Sequence, residues 1–233
     1  MFDTDSHRLI MLQILKSIYT DMFLQNFLGF KGGTATYFLY QLPRFSVDLD
    51  FDLLDPAESE EVFRKMELLL SRYGQVREKR IKRFTLFFLL SYKKHGRNMK
   101  IEISKRVFPN RYELKSLLGL PVKTLVKEDI FAHKLVTLME RKEVANRDLY
   151  DIWFFLDHRW DVNTPLVEFR MRMPFPTFVE KCLQRIEAVN QRYILQGLGE
   201  LLDEKQKQWV RDSLKSELVF LLKAHFLHQG TER

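Results

Sequence analysis

The chain has 233 residues, 45% of them hydrophobic and 13% aromatic, and its 38 Lys and Arg against 31 Asp and Glu give a formal charge of +7. That composition excludes a disordered chain and allows a sizeable buried core, in one large domain or two small ones. Cys182 is the only cysteine, which excludes an intramolecular disulfide, and no apolar run approaches the roughly 18 residues of a membrane span. The opening MFDTDSHR lacks the basic and apolar stretches of a secretory signal, so the cytoplasm is the expected compartment.

Along the chain, Leu9, Leu12, Ile14, Leu15, Ile18, Met22 and Phe23 give residues 6–26 the broad apolar face of a first helix. A short strand at 29–31 leads into a diglycine, then a helix to about residue 40 that Pro43 stops. An alternating strand follows around 47–53. After the Asp55-Pro56 turn, Val62, Met66, Leu69 and Leu70 mark a helix over 58–73. Strands are predicted at 76–83, 85–92 and 99–104, with a turn at 94–98, so the first half reads as α+β with a mixed sheet. After Pro121 the pattern becomes almost entirely helical. One helix opens near Glu128 and Asp129 and ends at Arg141-Lys142, Asn146 is placed to cap the next, and two or three more fill 164–228. The expected division is 1–120 and 121–233, and no internal repeat or long linker interrupts it.

The stretch FKGGTATYFLYQLPRFSVDLDFDL, residues 30–53, carries the chemistry. Side chains two apart on a strand share a face, so Asp48 and Asp50 project together while Leu49 and Phe51 turn to the core. Adjacent carboxylates repel, and a hard divalent cation with oxygen ligands relieves that repulsion while bridging to substrate phosphates. Gly32 and Gly33 let the backbone turn and approach closely, and the helix beginning near Thr34 offers unpaired N–H groups to an anion. Arg44 and Ser46 stand just ahead of the aspartates and complete the candidate phosphate contacts. A diglycine alone marks only a turn, and alternating aspartates alone mark a solvated strand; the two in this order point to a nucleotide site.

Gly32-Gly33-Thr34 followed by Arg44-Phe45-Ser46-Val47-Asp48-Leu49-Asp50-Phe51 resembles the signature of the polymerase-β-like nucleotidyltransferases, specifically the AbiEii/AbiGii toxin group. One departure is Gly33, which stands where many members of the wider superfamily have serine. The resemblance implies a polymerase-β-like core and a third acid on a later strand, for which Ile101-Glu102-Ile103 has the form. It further implies that Asp48, Asp50 and Glu102 hold magnesium, or manganese in its place, with Gly32, Gly33, Thr34, Arg44 and Ser46 on the nucleotide. In the helical half, Ala132-His133-Lys134-Leu135 and Arg147-Asp148-Leu149-Tyr150-Asp151 resemble later motifs of the group. They make Lys134 the triphosphate anchor and Asp148 an auxiliary catalytic carboxylate, with the helical region completing the cleft. Asp151 reads as a structural ion-pair partner of Arg141 or Arg147.

The activity implied is transfer of a nucleoside monophosphate from an NTP to an acceptor hydroxyl, on RNA such as tRNA, by the toxin of a toxin–antitoxin pair with a cognate antitoxin protein. Over residues 77–115 thirteen Lys or Arg face three Glu, a local +10 that suits phosphates or, equally, a solvated hairpin. Two other functions stay open. An acidic triad also serves metal-dependent nucleases, although Ser104 stands where a nuclease lysine is usual and Lys105 faces the opposite side. A non-catalytic nucleotide- or RNA-binding protein would keep the same fold. The six histidines have no zinc-enzyme spacing, and Cys182 reads as a core residue.

Overall fold

The structure is a computed structural model that describes residues 3–93 and 97–227, so the turn expected at 94–98 lies partly outside the described residues. The chain forms two compact units, Met1–Leu125 and Val126–Arg233. In the first, α1 (Thr4–Thr20), α2 (Leu24–Phe27), β1 (Leu28–Lys31), α3 (Gly32–Tyr40), β2 (Leu49–Leu53) and α4 (Ser59–Leu70) precede β3 (Gln75–Ile81), β4 (Thr85–Ser91) and β5 (Met99–Ser104). The hairpin of β6 (Tyr112–Leu117) and β7 (Leu120–Leu125) ends the unit. The strands make one mixed sheet in the order β3-β4-β5-β2-β1-β7-β6, with β2–β5 and β1–β7 parallel and the other pairs antiparallel.

One face of the sheet is the core. Phe30, Leu49, Phe51, Leu86, Phe88, Ile101 and Ile103 are fully buried there with Met11, Ile14, Leu15 and Ile18 of α1 and Val62, Met66 and Leu70 of α4. Burying side chains of this size stabilises by about 1.5–3 kcal/mol each before conformational entropy is counted. Because strand side chains alternate, every second residue of β2 and β5 is thereby committed to the opposite face.

Three local departures from the sequence reading have clear causes. The first helix stops at Thr20 because the Asp21 carboxylate accepts hydrogen bonds from the N–H groups of Phe23 and Leu24, capping a new short turn instead of continuing the old one. The β6–β7 hairpin was not expected. Its two-residue turn is Leu118-Gly119, both at positive φ (51° and 81°), and an exposed leucine there gives no turn signal. Asn146 does not cap: it is the first residue of its helix, and its side-chain amide donates to the carbonyls of Tyr193 and Gln196.

The second unit is helical: α5 (Lys127–Glu140), α6 (Asn146–Asp157), α7 (Thr164–Met171), α8 (Phe175–Glu187), α9 (Glu204–Asp212) and α10 (Leu214–Phe226). α6 is its central helix, buried over Leu149, Tyr150, Ile152, Phe154, Phe155 and Leu156, well beyond a single stripe. Cys182 of α8 is fully buried, as its apolar pattern suggested. Among the described residues no helix is long and apolar enough to cross a membrane.

Candidate functional site

The face of the sheet opposite the core carries the acids. Leu49, Phe51 and Leu53 are buried, so Asp48, Asp50 and Asp52 project to the other side of the β2 segment. In the parallel β2–β5 register Asp50 is the direct partner of Glu102, which places the two on neighbouring strands and one face. Asp48, Asp50 and Glu102 are all half-buried. Among the described residues no three His, Cys, Asp or Glu side chains are gathered closely enough to hold a metal ion as they stand. The backbone register sets Asp50 beside Glu102 on one face, and the side chains as they stand do not converge on one point.

The diglycine is fitted to this row. Gly32 has φ +79°, and a Cβ there would lie 2.7 Å from Asp50 Oδ2. A Cβ on Gly33 would meet the Arg44 guanidinium at 2.7 Å and Ser46 Oγ at 3.3 Å. Arg44 is buried and its guanidinium fills the space a serine at position 33 would enter, so a side chain there would have to displace it. The Thr34 and Ser46 hydroxyls lie 2.8 Å apart, and the Thr34 hydroxyl donates to the Asp48 carbonyl, which can only accept. Gly32, Gly33 and Thr34 are the first three residues of α3, whose leading N–H groups have no partner within the helix. Gly32→Ala is expected to cost about 1–2 kcal/mol, the left-handed backbone penalty, and to displace the Asp50 carboxylate. Urea unfolding and the crystal structure of the variant check both effects.

Asp52 belongs to the same row but is otherwise engaged. It is buried, with Lys31 Nζ at 2.5 Å, the Tyr112 hydroxyl donating at 2.9 Å and the Asn110 amide at 3.1 Å. Gly29 makes this reach possible: a Cβ at that position would sit 2.4 Å from the Tyr112 ring, which leans over β1 toward Asp52. The sequence offered a signal for Asp52, the same period-two spacing that singled out Asp48 and Asp50, and none for its partners.

His7 of α1 secures the approach to the row. It is buried, with Nε2 2.8 Å from the Val47 carbonyl and Nδ1 2.6 Å from the Tyr92 hydroxyl. The carbonyl can only accept, so Nε2 carries the proton and Nδ1 accepts from Tyr92, a neutral imidazole holding the residue before Asp48. Burial, with the Arg97 charge, pushes the His7 pKa below the ordinary 6.5, while the Val47 bond and Asp48 oppose this. The unfolded chain then binds a proton near pH 6.5 that the folded chain refuses, so stability from this group is present above that pH and lost as pH falls toward the folded pKa. The urea midpoint of the wild type is expected to fall relative to His7→Gln between about pH 7 and about pH 5.

In the helical unit, Lys134 of α5 reaches both acids of α6, Asp148 Oδ1 at 2.8 Å and Asp151 Oδ2 at 2.9 Å. The two carboxylates stand three apart on one helix face and are fully buried, while the lysine side chain keeps 15% exposure. Arg141 Nε lies 3.2 Å from Asp148 Oδ2, yet that buried oxygen has no aligned hydrogen-bond donor. Lys134 as a partner of Asp151 was not legible, since it comes from a different helix.

A family model described as the nucleotidyl transferase AbiEii toxin of type IV toxin–antitoxin systems matches residues 13–216. Among solved structures, a protein from H. pylori provisionally named a nucleotidyltransferase superposes with a TM-score of 0.63 at 19% identity, covering 95% of this chain and 93% of its own. JHP933 from Helicobacter pylori gives a TM-score of 0.59 at 18% identity, covering 98% of this chain and 99% of its own. These two likenesses establish the fold, an α+β nucleotidyltransferase fold. No curated protein matches.

Proposed function

The chain belongs to the AbiEii nucleotidyl transferase toxin family of type IV toxin–antitoxin systems, and from that premise we propose that it transfers a nucleoside monophosphate from an NTP to an acceptor hydroxyl of RNA, such as tRNA. The observation that carries the reading is the Asp50–Glu102 register with Asp48 on the same face, set against a diglycine whose missing side chains leave room for Asp50 and Arg44. Asp48, Asp50 and Glu102 would hold the divalent cation, magnesium or manganese; bound there, it supplies charge neutralisation for the attacking oxygen and the departing pyrophosphate. The oxygen-only donor set fits such a hard cation.

The chain's own groups do the remainder. The first N–H groups of α3 and the Arg44 guanidinium bind and orient phosphate oxygens, with Ser46 and Thr34 bracing the turn. In-line transfer makes little demand for covalent chemistry by the protein, so this positioning is its main contribution. Lys134 anchors the triphosphate as a point charge held between Asp148 and Asp151, with Asp148 as the auxiliary catalytic carboxylate. In this reading residues 1–120 are the nucleotidyltransferase core and residues 121–233 the helical domain that supplies Lys134 and Asp148. A cognate antitoxin protein is the further partner, and the compartment is the cytoplasm.

The test is incubation of the purified protein with each labelled NTP, magnesium and total cellular RNA. Label on RNA is the expected result. Shortened, unlabelled RNA would identify a nuclease instead, and tight NTP binding with no transfer to any acceptor would identify a binding protein.

A further inference from the structure

The basic excess of residues 77–115 has a focus at the end of the sheet that leads to Glu102. Phe84, in the turn between β3 and β4, is 42% exposed, and two guanidiniums lie against its ring, Arg83 at 4.8 Å and Arg106 at 4.9 Å from the centroid. The Lys105 N–H donates to the Phe84 carbonyl at 2.9 Å, tying the turn to the segment just after β5. Next to it, Lys82 Nζ sits 4.3 Å over the ring of Phe87, and Phe87 is the register partner of Glu102. Among the described residues Lys82, Arg83, Lys105 and Arg106 form no ion pair with a carboxylate. Arginines resting on an aromatic ring keep their full charge, so the corner joins a partly exposed ring to cations that can meet an external anion.

We infer that this corner binds a single-stranded segment of the RNA acceptor, with bases stacking on Phe84 and the arginine planes and phosphates pairing with Arg83, Arg106 and Lys82. The inference deepens the proposed function and rests on it for the word acceptor. An aromatic ring among unpaired cations is the chemistry of sequence-tolerant single-strand binding, in which every base offers a stacking face and every linkage a charge. A smooth acidic partner surface would use the charges but leave Phe84 in water. The placement also serves the reaction. Phe84 lies three residues from Phe87, about 10 Å along the strand, so a strand held at the corner can extend a terminal hydroxyl toward the acids around Glu102.

The experiment is fluorescence anisotropy with a labelled single-stranded RNA of about 12 nucleotides, titrated at several salt concentrations against wild type, Phe84→Leu and the double variant Arg83→Gln/Arg106→Gln. Phe84→Leu keeps an apolar side chain without a stacking face and is expected to weaken binding about 5- to 150-fold. The arginine variant is expected to weaken binding and to flatten the log Kd against log salt slope by about 1.4, two phosphates' worth. NTP affinity and urea midpoints should match the wild type in both. Wild-type RNA affinity in either variant, or no RNA binding by the wild type, would overturn the inference. Failure of the proposed function reads out separately, as absence of label transfer from NTP to any acceptor by the wild type.

Discussion

Asp48→Asn is expected to abolish nucleotidyl transfer, by about 10³-fold or more, while leaving the fold intact. The substitution keeps size and shape but removes a formal charge, and with it the proposed cation ligand, at a half-buried position whose neighbours Val47 and Leu49 supply the core contacts. The urea midpoint should hold or rise slightly, because Asp50 loses a like-charged neighbour on its own strand face. A rate measurement on labelled NTP and RNA beside an unfolding curve checks both halves. Transfer at the wild-type rate would show that the acids of this strand take no part in the chemistry.

Lys134→Ala is expected to be the most destabilising single change among the candidate site residues, at about 3–5 kcal/mol. Its ammonium bridges two fully buried carboxylates, and removing it takes the shared cation from both, with Arg141 still 3.2 Å from Asp148. The sign follows from burial: the solvation lost by both acids on folding is recovered only through such partners. Pairing the change with Asp151→Asn should restore a good part of the loss, since one of the two stranded charges is then neutral. NTP affinity should fall in Lys134→Ala, read at a temperature where the variant is fully folded. A midpoint unchanged from wild type would mean that the ion cluster is not what holds α5 to α6.

Much of the first unit was legible because its signals are local. Period-two alternation set Asp48 and Asp50 against Leu49 and Phe51, and Ile101-Glu102-Ile103 announced the same alternation on β5. What could not be read is what distant segments bring. Asp52 follows the same alternation, but Lys31, Asn110 and Tyr112 reach it from β1, from the loop before β6 and from β6, and only Gly29 makes room for the tyrosine. His7 reaches Val47 across 40 positions, and no periodicity encodes that contact. Asn146 shows the limit of capping rules: a residue suited to an N-cap spends its amide on two carbonyls some 50 positions away. The β6–β7 hairpin escaped for a local reason, a left-handed leucine where asparagine or aspartate is usual.

Asp48, Asp50 and Glu102 are the cation site proposed for nucleotidyl transfer. Crystals of the protein grown with manganese and a non-hydrolysable NTP analogue test it directly, through anomalous scattering at the manganese edge. The expected result is a manganese peak at about 2.1 Å from carboxylate oxygens of all three residues, with the analogue's phosphates completing its coordination above Gly32 and Gly33. A peak elsewhere, with the three carboxylates uncoordinated beside a bound nucleotide, would contradict it.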